Sequence, residues 1–126
     1  MPALGAYLEN KLLGVALCNQ AYSSPTHVYV ALYTTDPTAA DSGTEVAGGS
    51  YARAQANFVT PTGGITSNSN TISITGMPAT TVSYIGLRDA LTAGNLLFYG
   101  ALAIPRTTQA GDTFSIVAGD LQIGLS

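Results

Sequence analysis

The side chains able to do chemistry are few: one histidine, one cysteine and seven carboxylates in 126 residues. An imidazole titrates near neutrality and would suit a general base. His27, however, follows Ser-Pro-Thr at an expected strand start, with no second histidine near it. Zinc needs three or four N, S or O ligands, and His27 with Cys18 falls short of that set. No serine lies in a G-x-S-x-G elbow, so the sequence offers no template for a Ser-His-Asp centre. Gly48-Gly49 and Gly63-Gly64 are followed by neither a helix nor a lysine, which excludes a phosphate loop. Asp36, Asp41 and Glu45 are close together but lack the spacing of a calcium loop. Glycoside hydrolysis calls for two acids across a cleft with stacking aromatics. Tryptophan is absent, and the seven tyrosines lie mostly in strand-like segments. No enzyme activity, cofactor or metal is expected. Asp36, within HVYVALYTTDPT, precedes Pro37, which keeps it out of helical geometry. Its carboxylate is expected to accept a backbone N–H just beyond and to turn the chain.

The elements that carry these residues are predominantly β. Strand patterns run over 27–35, 51–59, 71–75, 81–89, 96–104, 113–117 and 121–125. Turn chemistry separates them, as in Asp36-Pro37, Gly76-Met77-Pro78 and Ala93-Gly94-Asn95. Short strands at this spacing predict a mainly β, single-domain antiparallel β-sandwich or jelly-roll-like barrel. One amphipathic α-helix is expected at the N-terminus, over 3–19, with Pro2 in its first turn. Leu4, Leu8, Leu12 and Val15 form its stripe, widened by Leu13 and Leu17. The single domain spans 1–126, with an N-terminal helix or arm over 1–20 and a β domain over 25–126. Long loops are expected at about 36–50 and 60–70. VYVAL (28–32) and LLFYGAL (96–102) are apolar on both faces, so their second face is a candidate subunit interface.

Composition narrows the partners. Charged residues make up only 9% of the chain and the formal net charge is −3, against roughly 25% charged residues in typical soluble domains. Sixteen threonines, ten serines and fourteen glycines must cover the surface. A neutral surface of this kind loses few ions when another protein covers it, which favours assembly. Four widely spaced basic residues cannot neutralise many phosphates, which argues against nucleic acid. Short apolar runs argue against a membrane partner. The opening MPALGAYLENKLLG has no basic leader, so a signal peptide is not expected. Cys18 excludes an internal disulfide and is expected to pack as a small apolar residue.

The blocks ALYTTDPT (31–38), GTEVAGGSYAR (43–53), SN (67–68), IGLRDA (85–90), GNLLFYGAL (94–102), AGD (110–112) and the closing GDLQIGL come in a specific order. Together they resemble a family of small tailed-phage virion proteins, loosely labelled phage tail fibre proteins. The chain also resembles capsid cement or decoration proteins of the cyanophage type. The resemblance implies a structural virion protein and no catalytic residues. The expected role is a cement on the capsid surface, bridging neighbouring major capsid protein subunits and stabilising the shell by binding only its assembled form. Self-association as a homodimer or homotrimer is expected too. The alternative is a tail or tail-fibre component contributing to host attachment, with glycan as partner. Candidate interface residues are Tyr7, Leu8 and Leu12 on the helix, Tyr29, Tyr33, Phe98 and Tyr99 on strands, and the half-exposed Arg53, Arg88 and Arg106. Intradomain core is the competing reading for each of the apolar ones.

Overall fold

A computed structural model describes residues 3–125. Its centre is β2 (Val28–Tyr33), a run rich in β-branched and aromatic residues that suit a pleated, buried surface. Val30, Ala31 and Leu32 are fully buried. β2 lies between β6 (Thr80–Arg88) and the short β3 (Ala54–Ala56), and β7 (Leu96–Thr108) pairs with the far side of β6. A two-residue strand, β1 (Ala3–Leu4), closes the near end of β7 against Phe98 and Tyr99. All pairings in this five-stranded sheet are antiparallel.

Register decides which side chains share a face. Val30 is opposite Leu87 and Leu32 opposite Ile85, while Leu87 is in turn opposite Phe98. These residues meet a second layer made of two strand pairs. One joins β5 (Ile72–Met77) to β8 (Asp112–Ile116), with Ile72 opposite Ile116 and Ile74 opposite Phe114. The other joins β4 (Ile65–Ser67) to β9 (Gln122–Gly124). Ile72, Ile74, Phe114, Ile116 and Ile123 close the core from this side. Full burial of one such side chain is worth about 1.5–3 kcal/mol. The alternating Ser73 and Ser115 point outward and lie within 3.4 Å of each other. The result is a β-sandwich-like domain of open sheets; no closed barrel forms.

Several expectations are corrected here. The segment 60–70 is not all loop, because β4 pairs with β9 there. Its strand character is hidden in a short stretch, Ile-Thr-Ser, between polar turns. The 51–59 strand shrinks to three residues, since only 54–56 meet β2. The helix, α1 (Ala6–Leu17), starts after Gly5, because Ala3–Leu4 is drawn into the sheet. Pro2 lies outside the described residues. Gly5 N–H donates to Leu97 O and Ala6 N–H to Ala39 O, which satisfies two donors at the helix start. A side chain at Gly5 would run into Leu96 O. At the other end Asn19 takes a left-handed conformation (φ 54°) and ends the helix. The chain then doubles back, laying Gln20 against Gly14.

The second face of β2 is also a correction. It was a candidate subunit interface, yet Ala31 and Tyr33 are buried within the chain itself. The segment 34–46 folds back here: Thr34 N–H bonds Thr44 O, and Val46 N–H bonds Leu32 O.

Asn68, only 1% exposed, ties three segments together. Its amide donates to Asn70 O (2.8 Å) and Val117 O (3.1 Å), and its Oδ1 accepts from Gly119 N–H (3.0 Å) and Leu121 N–H (2.9 Å). On the β6–β7 ribbon, Val82 faces Arg106 but Tyr84 faces Ala101. β7 thus carries extra residues over Leu102–Pro105, a bulge that leaves Ile104 78% exposed.

Candidate interaction surface

Two arginines organise one end of the sandwich. Arg88 leaves β6 into a buried position where all five of its N–H groups find acceptors. Nη1 donates to Asp41 Oδ1 (2.7 Å) and Tyr33 Oη (2.9 Å), and Nη2 to Asp41 Oδ2 (2.7 Å) and Gly94 O (3.0 Å). Nε donates to Ala93 O (3.2 Å). The two-pronged bond to Asp41 is the geometry in which a guanidinium is strongest, and it holds the Arg88 guanidinium above its ordinary pKa.

Arg53, just before β3, does the same for Glu45. Nε and Nη2 donate to the two carboxylate oxygens at 2.9 and 2.8 Å. Nη1 reaches Ala90 O and Ala93 O at 3.0 and 2.8 Å. Tyr51 hydroxyl donates to Glu45 at 2.6 Å and accepts Leu32 N–H at 3.0 Å, in place of the strand partner that β3 no longer supplies. Burial pushes the Glu45 carboxyl up, but the bonds from Arg53 and Tyr51 and the nearby guanidinium charges outweigh it, so the net shift is downward. Burial, then Glu45, push the Tyr51 phenol far up.

Together the arginines clamp the β6–β7 loop. Asp89 completes the clamp by accepting from Asn95 backbone and side chain at 2.7 and 3.0 Å. Beside it lies an open hollow of about 340 Å³, with Glu45, Tyr51 and Arg53 on its floor and Leu91 and Thr92 on its wall. The ions on that floor are paired with each other, so their chemistry is structural. Among the described residues, no group of three or more His, Cys, Asp and Glu could hold a metal ion. His27 is exposed and packs edge-on to Tyr29, with ring centroids 6.3 Å apart. Asp36 turns the chain: its Oδ1 accepts Thr38 N–H at 2.9 Å. No helix among the described residues is long and apolar enough to cross a membrane.

The candidate interface residues separate into groups. Leu8 and Tyr33 are core. Tyr7, Leu12, Tyr29, Phe98 and Tyr99 are half-buried. Tyr7 meets Tyr22 edge-on at 6.5 Å, with the Lys11 ammonium 5.6 Å from its ring centre. The half-exposed position expected for Arg88 is corrected to a buried one, because Asp41 and the clamped loop surround it. Arg53 is half-buried and likewise engaged within the domain. Arg106 is exposed, its guanidinium stacked 4.8 Å from the Phe114 ring centre and donating to Ser115 O. Sequence reasoning missed Glu45 and Asp41 as partners of these arginines, and Tyr51 as a partner of Glu45. The scarcity of charge was the available signal, since a chain with few ions must pair the buried ones.

The helix departs furthest from expectation. Of its apolar stripe only Leu8 is buried; Leu13 and Leu17 are 57% and 76% exposed. Cys18, expected to pack, is exposed too.

A small β-sandwich-like structural module, with Arg53 and Arg88 paired to hold its own loops, is the class these features define. Residues 3–124 match the family described as podophage GP4 fiber I protein gp80, and the chain belongs to that family. It is accordingly a phage structural protein, in line with the likeness to small tailed-phage virion proteins. The likeness to capsid cement proteins has no counterpart in that match. No curated protein matches the chain.

Proposed function

We propose that the chain is a building block of a fibre on a tailed-phage virion, where it acts by protein–protein contact. The observation that carries this reading is the family match over almost the whole chain. The physical features agree with it. A neutral, hydroxyl-rich exterior is cheap to cover with protein, and rigidly clamped loops keep their shape under load. The cement role implied by the resemblance calls for a small β domain that is covered by other proteins, and such a domain suits a module within a fibre equally well. A glycan partner has less support, because the polar floor of the hollow beside Arg53 is internally paired.

An antibody against the chain, applied to intact particles and followed by electron microscopy, tests the proposal. Label on fibres attached to the virion is the expected result. Label spread over the shell lattice would return the chain to the cement role.

A further inference from the structure

The chain carries two unpartnered apolar features that match one another. The first is the distal half of α1. Leu12–Cys18, LLGVALC, contains no polar side chain, and Leu13, Val15 and Leu17 all stand in the open. A helix that is apolar on every side is normally buried. Here Leu8 at the root and Gly14, under Gln20, are covered, while the large distal side chains Leu13, Val15 and Leu17 are not.

The second is the mouth of the sandwich. Where the main sheet and the β4–β9 pair splay apart, two neighbouring hollows of about 220 Å³ each share Phe98 and Thr66. Val28 and Phe58 line one; Ile65 and Leu125 line the other. Neither hollow has an ionisable residue in its lining. Ile65 and Leu125 are each about half-exposed at the rim.

Helix and slot also adjoin in the fold. Gly5, the root of α1, bonds Leu97 O, and Leu97 is part of the slot lining. An arm that leaves beside its own slot is placed for exchange between copies, each giving an arm and receiving one, which closes the assembly.

We infer that the distal half of α1 seats in the Phe98 slot of a second copy of this chain. Leu12–Cys18 itself carries no ion, so the segment that seats takes no charge of its own out of water. This contact is independent of where the protein sits on the virion, and its failure would leave the fibre assignment standing.

Sedimentation of the purified full chain tests it, with far-UV circular dichroism to verify folding. The wild type is expected to associate. L13S/L17S and, separately, I65K/L125S are each expected to sediment as monomers; all four positions are surface-exposed, so folding should persist. Mixing the two variants should restore association, since one supplies an intact arm and the other an intact slot. A monomeric wild type overturns the inference, and so does association that survives in I65K/L125S alone. Should a variant fail to fold, Ile65→Cys gives a second readout. Under mild oxidation Cys18 of one copy should crosslink to the introduced thiol of another. Crosslinks between Cys18 residues alone would mean that helix tips pair with each other, and would overturn the slot.

Discussion

Replacing Asn68 with leucine removes a side chain of similar size while deleting four hydrogen bonds. The consequences differ among the partners. Gly119 N–H keeps a second acceptor, since it also bonds Asn68 O at 2.8 Å. Leu121 N–H is in a buried residue and loses the Oδ1 at 2.9 Å. A buried donor left unpaired costs about 1–3 kcal/mol, and each ordinary bond contributes about 1 kcal/mol net. Asn70 O and Val117 O lose their donors, but Val117 is 55% exposed and water can replace one of them. The sum is about 3 kcal/mol. A domain of this length is stable by roughly 6–19 kcal/mol, so the variant should still fold. Urea denaturation is the assay. With a slope of about 1.5 kcal/mol/M, the midpoint should fall by about 2 M at unchanged slope. A shift smaller than about 0.5 M would refute the view of Asn68 as a strut between β4 and the β8–β9 turn.

Further outcomes test the clamp and the packing. Arg88→Lys should cost about 2–3 kcal/mol: an ammonium cannot grip Asp41 with two prongs or reach all five acceptor atoms, while partial exposure of Asp41 limits the loss. Hydrogen exchange of the 89–95 amides should accelerate in the same variant. Glu45 sets an acid limit. Its folded pKa lies below the ordinary 4.5, so its contribution is complete above that value and is lost as pH falls through the folded pKa. Glu45→Gln should flatten that part of the acid unfolding curve and lower stability at neutral pH. Gly86→Ala would place a Cβ 2.8 Å from Tyr33 Cε1 and 2.9 Å from Leu96 Cδ1. Overpacking of this kind should cost about 1–3 kcal/mol, read as a lower thermal midpoint.

Alternation and turn chemistry made the sandwich legible. Ile72/Ile74 and Leu121/Ile123 face the core as their period of two requires. β4 was not legible, because three residues, Ile65–Ser67, carry too little pattern to outweigh the glycines and asparagines around them. The helix pattern was legible but its cover was not. A leucine stripe indicates that a face is buried without indicating by what, and here Leu8 alone among its leucines is buried inside the chain. The arginine clamp was hidden for another reason. Its partners, Asp41 and Glu45, lie 47 and 8 residues from Arg88 and Arg53. Only the fold brings such pairs together. Asp36 needed no fold, since its turn is set by the proline that follows.

The bulge on β7 bears on how a charge-poor protein stays dispersed. Among the described residues, no strand pairs with the outer side of β7 past Tyr99, and an unprotected strand border invites lateral stacking into ribbons. With a net charge of only −3, electrostatic repulsion is a weak safeguard. The excursion at Leu102–Pro105 breaks the straight run of backbone groups, and Pro105 has no N–H to offer a ladder. Irregular backbone thus keeps this border from serving as a growth point for aggregates.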